Sequence, residues 1–255
     1  MPLTLSVAII TRNEEANLAR TLESVRWANE TVIVDCGSTD RTPEIARAFG
    51  AKFFVEEWKG FGAQKNSVIA KCSGDWVLAL DADEEVSAGL ADEIRSLLNG
   101  SSAPDAYFLP RRNFFLGRWI RHGGYYPDPK LRLFRSGTAR FEESAIHETM
   151  RSTGPSGQLR GDLLHHAYPT LDSYIEHMNR YSSLGARQAV ARGKTSRSVL
   201  SFWWNVFIVP IATFKYNYIF RLGFLDGREG LLLHLYHSAY VSWKYSKAWE
   251  MARRS

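Results

Sequence analysis

The sequence has little of what marks a secreted or disulfide-stabilised protein. Among its 255 residues only Cys36 and Cys72 are cysteine, and they form no Cys-x-x-Cys pair. Two such cysteines are typical of reduced thiols in a cytoplasmic protein. The N-terminal segment MPLTLSVAIITRNEE has a short apolar run without a basic region before it, which is unlike a signal peptide. We therefore expect a cytoplasmic location.

A strong charge of either sign is also lacking. The chain has 32 Lys+Arg against 27 Asp+Glu, a formal net charge of +5. A surplus of this size does not indicate a nucleic-acid partner, although local basic clusters could face phosphates or an anionic membrane surface. A hydrophobic content of 45% and a charged content of 23% are ordinary for a folded globular protein. The length fits one large domain, or one domain with an appendage.

Uncharged runs stop just short of the roughly 18 residues that indicate a membrane-spanning helix. The run SVLSFWWNVFIVPIATF covers residues 198–214 and is interrupted by Asn205 and Pro210. Four of the eight Trp and five of the eleven Tyr follow residue 200, interleaved with Lys and Arg. Apolar helices bordered by aromatic and basic side chains are typical of interfacial membrane attachment. Packing inside a soluble protein and a true span remain the alternatives.

Strand-like and helix-like segments alternate through the first hundred residues. Apolar runs at 5–10, 31–34, 52–55 and 76–80 predict strands, and helices are predicted over about 14–27, after Pro43, and over 63–71. Thr11 and Glu14 have the spacing of a helix capping box. This alternation predicts an α/β fold with a parallel sheet covered on both faces, and ligands bind such sheets at the carboxyl ends of the strands. Residues 105–166 predict a mixed extension of the sheet, and residues after about 170 predict helices.

Acidic residues are densest in LALDADEEVSAGL, directly after the fourth predicted strand. Asp81 and Asp83 are two positions apart, so in an extended chain their carboxylates point the same way. Two hard oxygen ligands, short of a complete cage, suit Mg²⁺ or Mn²⁺ completed by water and substrate phosphates. A calcium loop is not favoured, because Val86 stands where an EF-hand requires glycine. A phosphatase nucleophile is expected after the first strand instead of the fourth.

Other charged residues in and beyond this segment have simpler interpretations. Glu84, Glu85 and Ser87 are expected to begin the helix that follows. The adjacent pair at 165–166 and the pair at 234 and 237 are histidines at spacings that could suggest a metal site, but we expect neither pair to have a carboxylate partner. We expect these histidines to be core or surface residues.

Four segments, SVAIITRNEEANL, VIVDCGSTDRT, GFGAQKN and WVLALDADE, together resemble the successive signatures of family 2 glycosyltransferases, inverting enzymes with the GT-A fold. They occur in the family's order, which is more specific than a lone Asp-x-Asp. YYPDPKLRLFRSG, AIHETM and GFLDGREGLL further resemble the bacterial members that modify the lipopolysaccharide inner core. The resemblance implies a GT-A catalytic domain at 1–170, with a nucleotide-sugar half at 1–100 and an acceptor half at 101–170, followed by a helical, membrane-interfacial extension at 171–255.

The resemblance also implies ligands and residue roles. The donor would be a UDP-sugar, with UDP-glucose expected, and the acceptor a lipid-linked glycan at the cytoplasmic face of the inner membrane. Asp81 and Asp83 would hold Mg²⁺ or Mn²⁺. The residues it assigns to donor binding are Thr11, Asn13, Glu14, Asp35, Ser38, Asp40, Lys65, Asp81, Arg132 and Arg135. Asp40 could instead cap a helix at Thr42, and Lys65 could be a solvated helix lysine.

Glu148 in AIHETM is the expected general base for the acceptor hydroxyl. The family's usual Glu-Asp is His-Glu here, which leaves Glu142, Glu143 and Asp128 as alternatives. Departure of UDP builds negative charge that a fixed cation and arginine donors stabilise, while a carboxylate on the opposite face takes the proton.

Two other functions remain open. A nucleotidyltransferase is disfavoured because TRNEEAN has no glycine for a phosphate loop, and a non-catalytic nucleotide-sugar-binding protein is disfavoured by the intact carboxylates.

Overall fold

The computed structural model describes residues 3–100, 104–142 and 149–254. The chain divides into two compact units, one built from residues 1–111 and 128–166, the other from 112–127 and 167–255. The strands are Leu5–Thr11 (β1), Glu30–Asp35 (β2), Lys52–Val55 (β3), Trp76–Asp81 (β4), Glu84–Val86 (β5), Ala106–Leu109 (β6), Arg111–Phe115 (β7), Arg118–Trp119 (β8), Lys130–Arg135 (β9), Ala139–Phe141 (β10), Met150–Ser152 (β11), Ser156–Gln158 (β12) and Leu163–Tyr168 (β13). The helices are Leu18–Ser24 (α1), Thr42–Ala48 (α2), Phe61–Ile69 (α3), Ala88–Leu98 (α4), Leu171–Ala191 (α5), Val199–Trp203 (α6), Val209–Phe214 (α7) and Gly227–Arg254 (α8).

The first unit is organised around a sheet of seven strands among the described residues, in the order β12-β6-β9-β4-β1-β2-β3. Strands β3, β2, β1 and β4 are parallel neighbours, while β9 runs antiparallel to both β4 and β6. The expected mostly parallel α/β sheet with a mixed extension is confirmed. Thr11 is in register with Asp35, and Ile10 with Asp81, so the predicted polar residues meet at one edge of the sheet.

Both faces of the central strands are buried, which explains their apolar composition. Val7 and Leu78 are fully buried on the face covered by α1, α2 and α4. The other face packs against α3, whose Val68 joins the buried side chains of β2 and β4. Alternate positions of each strand therefore fill different cores, and the sheet edge that carries the polar residues is held rigidly from both sides.

Two local predictions in this unit are wrong. The capping box at Thr11 and Glu14 does not form, because α1 starts only at Leu18 and the Thr11 hydroxyl donates to Asp35 Oδ2 at 2.7 Å. Glu84 and Glu85 do not start a helix. They lie in β5, which pairs antiparallel with β13, and Ser87 alone caps α4 by accepting from the Leu90 N–H at 3.3 Å.

The second unit is mainly helical, as expected for the residues after 170. Thr170 caps α5, its hydroxyl accepting from the Ser173 N–H at 3.1 Å. α5 packs along α8, where the Lys247 ammonium donates to four oxygens of α5 at 2.6 to 2.9 Å. Residues 199–220 form one helical run, in which a π-helical turn at Trp204–Ile208 separates α6 from α7 and a second, at Lys215–Phe220, follows α7.

The central sheet allows a direct test of the core assignment. Leu78→Ala removes a fully buried side chain from β4, and we expect it to lower the free energy of unfolding by about 2–5 kcal/mol. Val55→Ala on β3 deletes two methyl groups from a side chain that is 67% exposed and should change it by less than about 0.5 kcal/mol. Urea unfolding monitored by circular dichroism measures both. Equal effects of the two substitutions would contradict the assignment of β4 to the centre of the sheet.

Candidate active site

Asp35 joins two loops at the sheet edge. Its Oδ1 accepts from the Gly37 and Ser38 N–H groups at 2.9 and 2.7 Å, and its Oδ2 accepts from the Thr11 and Ser38 hydroxyls at 2.7 and 2.5 Å. These four bonds fill the acceptor capacity of a carboxylate. Asp35 is 1% exposed and Thr11 is 3% exposed. The structure therefore makes this pair a support for the loops, and their expected direct contact with a donor stays a prediction.

Asn13 and Ser38 lie on the open side of the same loops. Asn13 adopts a φ of 56° and accepts from the Thr39 N–H at 2.8 Å, while its own N–H donates to the Ser38 hydroxyl at 2.8 Å. Asparagine tolerates this left-handed backbone better than most residues. These bonds fasten the loop after β1 to the loop after β2, so both present their tips at one place.

Glu14 is the carboxylate whose environment is most unusual in these loops. Its N–H donates to the Thr42 hydroxyl at 2.8 Å, and its side chain is half-buried. Burial raises the pKa of Glu14 to about 7; a hydrogen bond from Asn17 opposes this, and the negative charges of Asp83, Asp81 and Asp40 add to it. Such mutual repulsion means that the loop carboxylates and the aspartates after β4 converge on one region.

Asp40 acts partly as the cap suggested by the sequence. Its Oδ1 accepts from the Thr42 N–H at 3.0 Å, at the start of α2. Its Oδ2 accepts from the Glu15 N–H at 3.1 Å, which ties it to the loop after β1. Asp40 is thus committed to loop structure on both oxygens.

Asp81 is bound by two buried cations. Its Oδ1 receives the Lys65 ammonium at 2.7 Å, and its Oδ2 is bound by Arg132. Burial opposes ionisation of Asp81, but Arg132 and Lys65 outweigh it and hold the pKa of the carboxyl well below its usual range. Lys65 is only 8% exposed at its side chain, so it is not a solvated helix lysine, and Arg132 points inward.

Glu84 and Arg111 complete this ion network, and the sequence did not single them out. Glu84 is 0% exposed; its Oε1 accepts from Arg132 at 2.9 Å and from Arg111 at 3.1 Å, and its Oε2 accepts from the Asp81 N–H at 2.9 Å. Arg111 also donates to Asp128 Oδ2 at 3.0 and 2.7 Å. One buried carboxylate therefore holds two arginines and the Asp81 turn in place.

Asp83 faces a histidine. Its Oδ2 lies 3.3 Å from His165 Nε2, because the pairing of β5 with β13 places His165 opposite Glu84. Burial works against ionisation of Asp83, but His165 outweighs it and lowers the pKa of the carboxyl. The neighbouring His166 Nε2 lies 3.0 Å from Glu85 Oε2. The expectation that these histidines lack carboxylate partners is wrong, since their partners are distant in sequence and adjacent in the sheet.

The Asp83 and His165 pair fits a divalent cation. Adjacent ligand atoms of an octahedral ion with bonds of about 2.1 Å lie about 3.0 Å apart, close to the observed separation. Within residues 3–100, 104–142 and 149–254, no group of three or more His, Cys, Asp or Glu side chains forms a metal site by itself. Two protein ligands leave positions for water and phosphate, as Mg²⁺ sites on nucleotides require. Asp81 would have to release Lys65 or Arg132 to become a third ligand.

Two predicted site residues are not brought to this edge. Arg135 is in register with Trp76, at the opposite end of β4 from Asp81, where it pairs with Asp105 at 3.4 Å. That is five residues, or about 17 Å, from the site, and its assignment to the donor is wrong. Glu148 lies outside the described residues, as does Glu143, so the expected base stays a prediction.

Comparison with known proteins gives a family and a fold. Residues 6–150 match the profile described as glycosyl transferase family 2. The chain is 35% identical over 237 residues to the lipopolysaccharide core biosynthesis glycosyltransferase LpsC of Rhizobium meliloti (strain 1021), covering 88% of this chain and 82% of that protein. It is 33% identical over 207 residues to the uncharacterized glycosyltransferase RT0209 of Rickettsia typhi, covering 74% and 69%.

A solved structure gives the same fold. The mannosyltransferase PcManGT from Pyrobaculum calidifontis, in complex with GDP-Man and Mn²⁺, aligns over 97% of this chain and 87% of its own, with a TM-score of 0.53 at 14% identity. At this identity the likeness bears on the fold alone. It agrees with the α/β sheet flanked by helices described above.

The raised pKa of Glu14 predicts a pH dependence of stability. Because the native state holds this proton up to about pH 7 and the unfolded chain only to about 4.5, the contribution of Glu14 falls as pH rises between these values, by at most about 3 kcal/mol. Glu14→Gln should remove this loss. Urea unfolding in EDTA at pH 5 and pH 7.5 measures the difference, with Glu23→Gln, an exposed acid on α1, as control. If the free energy of unfolding changes between pH 5 and pH 7.5 by the same amount in wild type and in Glu14→Gln, the raised pKa of Glu14 is contradicted.

Proposed function

Because the chain belongs to glycosyl transferase family 2, we propose that it transfers a sugar, with inversion, from a UDP-sugar to a lipid-linked glycan of the lipopolysaccharide inner core. The observation that carries the proposal is the convergence of Glu14, Asp81 and Asp83 at one sheet edge beside Lys65 and Arg132. A nucleotide diphosphate is bound by carboxylates that hold a divalent cation and by buried cationic side chains that contact its phosphates. UDP-glucose is the expected donor.

The loops after β1 and β2 support the proposed nucleotide pocket. Asn13, Glu14 and Ser38 lie at their tips, whereas the bonds of Asp35 and Asp40 are used to hold the loops together. We assign the uracil and ribose to the tips. Protonated Glu14 can donate a hydrogen bond as well as accept one, which suits it to a ribose hydroxyl or a base edge.

Asp83 and His165 would hold Mg²⁺ or Mn²⁺, which when bound supplies positive charge to the leaving diphosphate. Lys65 and Arg132 are held beside this position by Asp81 and Glu84 before any ligand arrives. Donors fixed in advance need no reorganisation when charge develops, so they stabilise the departing UDP more than flexible ones would. Arg132 is in the interior of β9, which keeps its guanidinium in one place.

Glu148 remains the proposed base, and the described alternatives are poorer. Asp128 is paired with Arg111 and, at 2.9 Å, with Lys130. Burial alone would raise the pKa of Asp128, but these two cations outweigh burial and lower it. A carboxylate stabilised as an anion is a weak proton acceptor. Glu142 is half-buried and pairs with Arg151 at 2.5 Å.

The acceptor is inferred from the relative LpsC, which is named for lipopolysaccharide core biosynthesis. An acceptor built on lipid requires the enzyme to work at a membrane. Within the described residues one helical run, Val199–Phe220, is long and apolar enough to cross a bilayer by length and composition, and 6% of its apolar 18-residue window is buried within the protein. We propose that the protein acts on the cytoplasmic face of the inner membrane as a peripheral enzyme.

The metal ligands give a sharp test. Asp83→Asn and His165→Ala should each lower UDP release from UDP-glucose by about 10²- to 10⁴-fold with Mn²⁺ present. Each substitution removes a protein ligand of the cation, and the leaving UDP then loses the positive charge that stabilises it. Direct Mn²⁺ binding in the presence of UDP, followed by electron paramagnetic resonance, should weaken in parallel. Asp92→Asn, an exposed aspartate on α4, is the control. Turnover within twofold of wild type in both site variants would refute the metal assignment.

The proposed base has a different signature. Glu148→Gln should leave UDP-glucose affinity within about threefold while transfer to the acceptor falls by about 10²- to 10⁴-fold, since only proton removal is lost. Calorimetric donor binding and a transfer assay on lipopolysaccharide core acceptor measure the two quantities. Glu23→Gln, at an exposed glutamate of α1, serves as the matched control. Unimpaired transfer by Glu148→Gln would eliminate Glu148 and return the search to the remaining acids.

A further inference from the structure

The helical run 199–220 exposes its side chains in a regular stripe. The exposed positions come in pairs, 199/200, 203/204, 207/208, 211/212, 215/216 and 219/220, at an interval of four residues. They include Leu200 at 84%, Trp204 at 60%, Ile211 at 51% and Phe220 at 76% exposure. Lys215 is the one charged member of these pairs. We call these twelve positions the apolar stripe.

The π-helical turns keep the apolar stripe straight. In a pure α-helix each residue turns about 100°, so a repeat of four overshoots by about 40° and the pairs would wind around the helix. π-helical turns contain more residues per turn, and they occur at Trp204–Ile208 and Lys215–Phe220. They compensate the overshoot, so one side of a run of 22 residues stays apolar and exposed along its length.

The opposite side of the run is fixed to α8. The Ser238 hydroxyl donates to the Pro210 carbonyl at 2.8 Å, and the Ser242 hydroxyl donates to the Val206 carbonyl at 3.0 Å. Pro210 has no N–H to donate to the carbonyl of Val206 four residues earlier, and the Ser242 hydroxyl donates to that carbonyl instead of an α-helical N–H. Phe202 and Trp249 also meet, with ring centroids 5.2 Å apart.

The corner between the run and α8 is pinned as well. Asp226 is 1% exposed and accepts from the Arg121 N–H at 3.2 Å and the His122 N–H at 2.8 Å. The Gly123 N–H donates to the Arg221 carbonyl at 2.8 Å. The run and α8 therefore form one fixed helical hairpin. Leu222, Phe224 and Leu225, 44–50% exposed, continue the apolar surface around its corner.

We infer that the apolar stripe lies in the plane of an anionic bilayer and that the run does not cross it. This inference rests on the proposed membrane location and specifies its geometry. A spanning run would have to leave α8, exposing the Val206 carbonyl to hydrocarbon, or carry Lys244 and Lys247 of α8 with it; either is costly. An in-plane run keeps every bond to α8 and buries only the apolar stripe.

The charges around the apolar stripe favour an anionic surface. Residues 192–228 carry six basic side chains and one acidic side chain, the buried Asp226. Lys215, Arg221 and Arg228 are exposed beside the apolar surface. Lysine and arginine can extend from an interfacial helix to lipid phosphates, and Trp and Tyr favour the same depth. The occupant that matches this surface is a bilayer containing anionic lipid.

Vesicle binding of the full chain tests the surface. Wild-type protein should bind phosphatidylglycerol vesicles, and Trp203→Ser/Phe207→Ser/Ile211→Ser should bind them at least about 100-fold more weakly. The matched control Phe54→Ser/Val55→Ser/Trp58→Ser changes three exposed apolar side chains of the first unit and should bind as wild type. Lys215→Glu/Arg221→Glu should bind phosphatidylglycerol vesicles more weakly than wild type does, and its binding to phosphatidylcholine vesicles should not increase. Equal binding by the stripe and control variants would overturn the inference.

Labelling in bacteria tests the orientation. In a protein with Cys36→Ser and Cys72→Ser, we place one cysteine by Lys194→Cys before the run or by Arg228→Cys after it. An in-plane run leaves both unlabelled by a membrane-impermeant maleimide in intact spheroplasts and both labelled after lysis. Labelling of either one in intact spheroplasts would show a span and overturn the inference. Asp83→Asn should bind vesicles as wild type does, so loss of transfer and loss of attachment are separate results.

Discussion

The architecture of the site depends on burying Glu84 between two arginines. Glu84 is fully buried and holds Arg132, Arg111 and the N–H of Asp81 with its two oxygens. An isolated buried carboxylate would be strongly unfavourable, and so would either arginine alone. Each group is tolerated because the others are present, so the network joins β4, β5, β7 and β9 at this point. Breaking one member of such a network costs about 3–5 kcal/mol, which makes the geometry of the sheet edge nearly all-or-none.

The network also explains how a site for a strongly anionic ligand is kept ready without one. Lys65 and Arg132 are neutralised by Asp81 in the free protein, which avoids unpaired buried cations. A diphosphate brings its own negative charge and can replace part of what Asp81 supplies. Arg132 would still be held by Glu84 during this exchange. Glu84 would thus keep Arg132 in position while its partner changes, which is the condition for preorganised electrostatic stabilisation.

Sequence reasoning succeeded where information is local. The periodicity of 5–10, 31–34 and 76–80 predicts strands because both faces of a parallel sheet are apolar, and the structure has β1, β2 and β4 there. It failed where a residue's role depends on a distant partner. His165 and Asp83 lie far apart in sequence, yet the pairing of β5 with β13 brings them together. Glu84 and Asp83 are adjacent, but only the strand pairing sends one into the interior and the other toward His165. Arg132 and Arg135 are three apart, but Arg132 binds Asp81 at one end of β4 and Arg135 is in register with Trp76 at the other end.

In the second unit, too, the role of a segment depends on partners that are distant in sequence. The sequence 198–214 predicted membrane contact from composition, but composition does not distinguish a span from an interfacial helix. The distinction lies in what the polar groups do. Ser238 and Ser242 of α8 reach carbonyls of the run near Pro210, and α8 carries charges that hydrocarbon excludes. A helix whose backbone is completed by a charged neighbour has only one face to offer to lipid. The in-plane topology that we infer therefore depends on serines that are remote in sequence from the apolar run.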